Sequence, residues 1–192
     1  ESFKKMRIVS GKFKNKRLYF PNNLKTRPLK DSVRENIFNI LEHSNNVNVK
    51  LKDASILDLY AGTGSFGLEC LSREASQVLF VENDQDALTN LKKNIKNLNL
   101  DSQSIIYDKN ILEFFKHSDH EKKIDIAFLD PPYANKKYEE IIKIIKTNNI
   151  LRKKHILILH REKRSSQILF DKENVIENRV YGRSEIFFLK LF

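Results

Sequence analysis

From residue 55 onward, apolar runs too short for helices alternate with stretches whose apolar positions recur every three or four residues. Segments 56–60, 77–82, 104–108, 124–130 and 155–160 predict strands. The run Ile126, Ala127, Phe128, Leu129 has no polar alternation, as expected for a strand buried on both faces. Between the strands lie predicted helices: one through Leu71, and one capped by Asp84 with Leu88, Leu91, Ile95 and Leu98 on one face. A third spans 112–116, and a fourth is marked by Tyr138, Ile141, Ile142 and Ile145. Segments 175–181 and 185–192 meet at Gly182-Arg183-Ser184 and predict a terminal hairpin. Repeated strand–helix units imply an α/β fold, a mostly parallel sheet wrapped by helices on both faces.

The region before residue 55 is patterned differently. Ile8, Val9, Phe13, Leu18, Tyr19 and Phe20 are broken by Ser10-Gly11 and Lys14-Asn15-Lys16, which predicts a short twisted β-hairpin with Asn15 near its turn. A helix follows, with Asp31 or Ser32 as its cap and Val33, Ile37, Ile40 and Leu41 on its apolar face. The expected organisation is an amino-terminal extension, 1–24, on a single domain, 25–192.

Charge sharpens that division. The formal charge is +10, and residues 1–30 hold ten Lys or Arg against one acid, Glu1. Basicity therefore belongs to one end of the chain, as expected for an element that binds phosphates. A solvated, solubilising tail is the plain alternative, but the cations here interleave with Phe13, Tyr19 and Phe20. Arg7, Lys12, Lys14, Lys16, Arg17 and Arg27 are the candidate RNA contacts.

Composition adds bounds. A chain of 192 residues can bury a full core. No apolar run approaches a membrane span and no secretory leader opens the sequence, so a soluble cytoplasmic protein is expected. A single cysteine, Cys70, excludes an internal disulfide framework and a multi-cysteine zinc site. It lies among leucines, so a buried apolar role is expected. His117-x-x-His120 has a weak metal-like spacing in a charged loop and reads as solvated.

Gly62-Thr63-Gly64-Ser65-Phe66-Gly67 matches G-x-G-x-x-G after a strand and at the opening of a helix. Glu82 ends the next strand, where a carboxylate can accept the hydroxyls of a ribose. Together they indicate an adenosine-bearing cofactor, without separating a dinucleotide from S-adenosylmethionine. Asp58 tips the balance, because an acid there suits an amino-bearing cation and repels a pyrophosphate. Asn110 follows the third strand, where its amide would read an adenine edge or simply cap a helix, and the Ile111 N–H is placed to reach a ring nitrogen. Ala61, Gly62, Thr63, Gly64 and Asn83 complete the candidate cofactor set.

Asp130-Pro131-Pro132-Tyr133 ends the fourth strand. Two prolines stop the ladder and fix the backbone, leaving one acceptor side chain, freed carbonyls and an aromatic ring. Such a turn suits a planar molecule bearing an amino group, although a strand ending in an Asp-Pro turn is common. A parallel sheet collects ligands beyond the carboxyl ends of its strands, so the glycine loop, Glu82, Asn110 and Asp130 should converge.

Asp-Leu-Tyr-Ala-Gly-Thr-Gly-Ser-Phe-Gly-Leu-Glu, Phe-Val-Glu and Asp-Pro-Pro-Tyr together resemble class I S-adenosylmethionine-dependent methyltransferases. Met-Arg-Ile-Val-Ser-Gly-Lys-Phe-Lys-Asn-Lys-Arg-Leu and Arg-Pro-Leu-Lys-Asp-Ser-Val-Arg-Glu-Asn-Ile-Phe-Asn-Ile-Leu narrow the resemblance to the bacterial 16S ribosomal RNA guanine-N2 methyltransferase (RsmD) family, from Met6 to Phe192. The carboxyl-terminal third matches only loosely, and Glu74 stands where members usually have glycine. The resemblance implies a Rossmann-like sheet with an antiparallel carboxyl-terminal strand and an amino-terminal hairpin. It also implies S-adenosylmethionine as cofactor, no metal, and methyl transfer to a guanine amine of small-subunit rRNA with Asp130, Pro131, Pro132 and Tyr133 as catalytic residues. The Asp-Pro-Pro-Tyr turn is shared with N6-adenine and N4-cytosine DNA methyltransferases. An adenine-N6 or other amino-group methyltransferase, and a non-catalytic RNA-binding protein on the same fold, are the alternatives.

Overall fold

A computed structural model describes residues 6–21, 29–117, 123–132, 138–163 and 174–192. Seven strands form one sheet: β1 (Ser55–Leu59), β2 (Gln77–Glu82), β3 (Ser104–Asp108), β4 (Ile124–Leu129), β5 (Leu151–Glu162), β6 (Val175–Tyr181) and β7 (Ser184–Leu189). Their order is β3-β2-β1-β4-β5-β7-β6. The first five are parallel, and β7 runs antiparallel between β5 and β6. The strand order reverses between β1 and β4, which opens a crevice at their carboxyl ends.

Period-two alternation sorts the strand residues onto two faces. Ile56, Phe80, Phe128, Ile158 and Phe188 pack against α1 (Asp31–His43), α2 (Ser65–Ser72) and α3 (Gln85–Asn97). Leu57, Val81, Leu129, Leu159 and Phe187 pack against α4 (Ile111–His117) and α5 (Tyr138–Thr147). All five residues of β1 are buried, so this strand shows no solvent-exposed face. Cys70 is buried in the first cluster, in the apolar role expected of it.

Several local expectations change. Asp84 caps α3 as predicted, accepting from the Ala87 N–H at 2.8 Å. Neither Asp31 nor Ser32 caps α1: both lie inside it, and the preceding Lys30 makes no side-chain cap. Asp31 instead pairs with Arg34 at 3.0 Å, because a buried guanidinium needs a partner more than an exposed helix start does. The amino-terminal hairpin is as short as predicted: the antiparallel bridge Arg7–Arg17 is flanked by Ile8–Lys16 and Leu18–Met6 backbone bonds of 2.9 Å, with Asn15 at its turn in the left-handed region, φ 67°. Strand β5 begins at Leu151, earlier than predicted, because Leu151 pairs with Ile124 across a register shift.

The amino-terminal hairpin is also bound to α2. Glu69, fully buried, accepts from the Val9 and Ser10 N–H groups at 2.7 and 2.8 Å. Ser72 accepts from the Phe13 N–H through its hydroxyl, and its carbonyl accepts from Lys12. Met6, Ile8 and Leu18 join the first core cluster. This leaves Arg7, Lys12, Lys14, Lys16 and Arg17 exposed on a loop whose backbone is fixed from below.

Candidate functional site

Strand β1 delivers the chain into the crevice at Tyr60, whose φ of 59° is costly for a bulky residue. Such strain persists where surrounding structure enforces it, often at functional sites. The Ala61 N–H returns to the Val81 carbonyl, and the Gly64 N–H to that of Ala61. Gly64 has φ 83° and a side chain there would strike Leu91 at 2.4 Å, so both conformation and space demand glycine.

Glu82 closes this loop. Its Oε2 accepts from the Gly62 N–H at 2.7 Å, and its Oε1 accepts from Asn83 and Asp84 at 2.8 and 2.9 Å. A carboxylate offers about four lone-pair sites, so Oε2 retains room for one further donor. A ribose hydroxyl fits that position. Asn83 is exposed beside it, and its contribution is through the backbone.

Asp58 is buried and accepts from the Gly67 N–H at 3.0 Å, which ties β1 to the first turn of α2. Burial pushes its carboxyl well above the ordinary range. The Gly67 N–H opposes this shift, while the neighbouring Asp130 and Glu82 carboxylates add to it. Three carboxylates therefore converge at the crevice, an electrostatic setting that favours a cationic ligand and disfavours a pyrophosphate.

Asn110 lies at the carboxyl end of the edge strand β3, where its side chain accepts from the Glu113 N–H at 2.9 Å. This is the helix-capping alternative, and the side-chain oxygen is committed to it. Ile111 opens α4 and is buried. Thr63 is also buried, with its hydroxyl on the Met6 sulfur at 3.8 Å.

Across the crevice, the Asp130 N–H reaches the Leu59 carbonyl at 3.4 Å, so the acidic turn begins level with the end of β1. Pro131 is buried and Pro132 exposed. Tyr133, Arg27 and His120 lie outside the described residues. Among the described residues, no group of three or more His, Cys, Asp or Glu is placed to hold a metal ion.

Sequence reasoning missed three residues around these elements. His160 contacts Asp130, with Nδ1 at 2.7 Å from Oδ1. Asn94, fully buried, donates to the Thr63 carbonyl at 3.0 Å and to the Tyr19 carbonyl at 3.1 Å, and accepts from the Tyr19 N–H at 2.6 Å. It thereby joins the glycine loop to the basic segment. Glu69 fixes that segment from α2. Two carried a legible signal: an amide on the apolar face of α3, and a carboxylate inside the apolar run of α2.

The strand order and the glycine loop facing an acidic proline turn define a class I methyltransferase. Residues 6–190 match the family described as conserved hypothetical protein 95, and the chain belongs to that family. Among curated relatives, ribosomal RNA small subunit methyltransferase D of Haemophilus influenzae is 30% identical over 178 residues, covering 92% of this chain and 89% of that protein. The Escherichia coli protein of the same name is 31% identical over 159 residues, covering 82% and 75%. The solved structure of a putative methyltransferase from Escherichia coli superposes with a TM-score of 0.81 at 27% identity, covering 96% of each chain.

Proposed function

We propose that this protein methylates the exocyclic N2 amine of a guanine in 16S ribosomal RNA, using S-adenosylmethionine, and acts on the small ribosomal subunit. The observation that carries the reading is the convergence of Asp58, Glu82 and Asp130 beside a glycine loop at the switch point of the sheet. When bound, the cofactor supplies an electrophilic methyl group on a sulfonium. Glu82 and the Gly62–Gly64 backbone would hold its adenosine, and buried Asp58 would favour its cationic end.

The acceptor amine is a poor nucleophile because its lone pair is delocalised into the base. Asp130 and the Pro131 carbonyl would accept its hydrogens and turn that lone pair towards the methyl group. As the amine takes up that methyl group, it would release its proton on the Asp130 side. Tyr133 would stack on the base, which must stand out of its helix or lie in a loop. Much of the acceleration then comes from positioning.

Residues 1–24 serve as a basic extension that grips RNA through Arg7, Lys12, Lys14, Lys16 and Arg17, and 25–192 as the methyltransferase domain, whose Arg27 adds to that grip. Among the described residues no helix is long and apolar enough to cross a membrane. We place the protein in the cytoplasm with its ribosomal substrate.

The test is transfer of labelled methyl from S-adenosylmethionine to small subunits, naked 16S rRNA and duplex DNA, with the product nucleoside identified by mass spectrometry. N2-methylguanine in rRNA is expected. Label only in DNA would establish a DNA methyltransferase, and binding without label in any substrate would establish a non-catalytic RNA-binding protein.

A further inference from the structure

We propose that His160 is a positioning residue for methyl transfer: it holds the Asp130 carboxylate so that one oxygen is committed to the protein and the other faces the acceptor base. The inference rests on the reading of Asp130 as the group that accepts the amine's hydrogens.

The ladder between β4 and β5 pairs Leu129 with Leu159, so Asp130 and His160 are the next residues along adjacent strands. Neighbours in a parallel ladder point to the same face, which brings the imidazole against the carboxylate at 2.7 Å. Beyond it, β7 runs antiparallel and pairs Ser184 with Glu162, two residues along from His160. That diagonal brings the Ser184 hydroxyl to 3.1 Å from Nε2. A row therefore crosses three strands, from Asp130 through His160 to Ser184.

The row sets which nitrogen does what. An ionised carboxylate only accepts, so Nδ1 carries hydrogen and donates to Oδ1. In the neutral ring Nε2 then accepts from the Ser184 hydroxyl, which fixes the tautomer and the ring plane. His160 is 4% exposed, whereas the Asp130 side chain is 23% exposed, so the support is buried while the acceptor group remains accessible. The prolines constrain the Asp130 backbone but not its side-chain torsions. The histidine supplies that missing constraint. Positional errors of about 1 Å at a reacting centre cost up to about 100-fold in rate.

The experiment exploits the geometry of amide side chains, since an asparagine amide overlays Nδ1 and a glutamine amide overlays Nε2. His160→Ala, His160→Asn, His160→Gln and Asp130→Ala are compared in steady-state and single-turnover methylation of unmodified small subunits, with cofactor affinity and thermal unfolding measured in parallel. His160→Ala is expected to lower kcat by about 10- to 100-fold with cofactor affinity preserved. His160→Asn should recover most of the loss and His160→Gln little of it. Equal activities of the asparagine and glutamine variants would overturn the proposal, and this comparison still decides if His160→Ala does not fold. A His160→Ala enzyme at wild-type kcat, beside an inactive Asp130→Ala, would overturn the role of His160 alone. Full turnover by Asp130→Ala would remove the reading of Asp130 and this proposal with it.

Discussion

The glycine loop after β1 and the acidic turn after β4 face each other across the switch point and are fixed in different ways. On the cofactor side, Glu82, Asp58 and Asn94 bond to backbone groups of Gly62, Gly67 and Thr63, so several side chains share the hold on one loop. On the proposed acceptor side, two prolines set the backbone and His160 contacts the Asp130 carboxylate. A binding surface for a constant cofactor tolerates redundancy. A group that must meet a reacting nitrogen depends on the angle of a single side chain. Changes on the cofactor side should therefore appear first in stability and affinity, and changes on the acceptor side in turnover.

The largest expected effect tests that division directly. Asp130→Ala should lower kcat by about 10²- to 10³-fold, the usual cost of removing one preorganised polar contact to a reacting group. Cofactor affinity by calorimetry and the unfolding midpoint should change little. An equal loss of cofactor binding would merge the two sides into one cooperative unit. Next, neutralising Lys12, Lys14, Lys16 and Arg17 should flatten the dependence of RNA affinity on salt, lowering the log–log slope by about 3 at roughly 0.7 per phosphate contact. Turnover at saturating RNA should survive, and an unchanged slope would make the loop a solubilising element.

Asn94→Ala should cost about 1–3 kcal/mol in urea unfolding, because it leaves the buried Thr63 carbonyl and the partly buried Tyr19 backbone without their partner. A neutral outcome would show that the cofactor side is held by fewer contacts than its hydrogen bonds suggest. The smallest effect concerns pH. Because burial raises the Asp58 carboxyl, the folded chain binds its proton more tightly than the unfolded chain does. The stabilising contribution is full below the ordinary value of 3.8 and is lost as pH rises from there towards the folded value. Unfolding of the cofactor-free protein between pH 4 and 8 should show this decline, and Asp58→Asn, which keeps an acceptor for Gly67, should flatten it.

The loop proposed to hold the cofactor was legible as structure because its signals are local. The glycine loop follows its strand directly, and Glu82 stands one strand–helix unit later. Strands buried on both faces also announce themselves as apolar runs, which is why the parallel sheet could be read, while the turn at Gly182-Arg183-Ser184 marked the antiparallel carboxyl-terminal pair. The contact of His160 with Asp130 was not legible, since thirty residues separate them and only the ladder register brings them together. The docking of the amino-terminal hairpin was hidden for a related reason. Backbone donors of Val9, Ser10, Lys12 and Phe13 are taken by α2, a partner that local alternation does not reveal. Glu74 shows the converse. It was marked as a departure from glycine, and it sits just past α2 with φ 69°, the left-handed position that glycine fills without strain.

The amide of Asn94 has a thermodynamic consequence. The same side chain holds Thr63 of the glycine loop and Tyr19 of the basic segment, so on the function proposed above it is a link through which cofactor and RNA affinity would be coupled. Whatever factor the cofactor imposes on RNA affinity through that contact, RNA must impose on cofactor affinity in return.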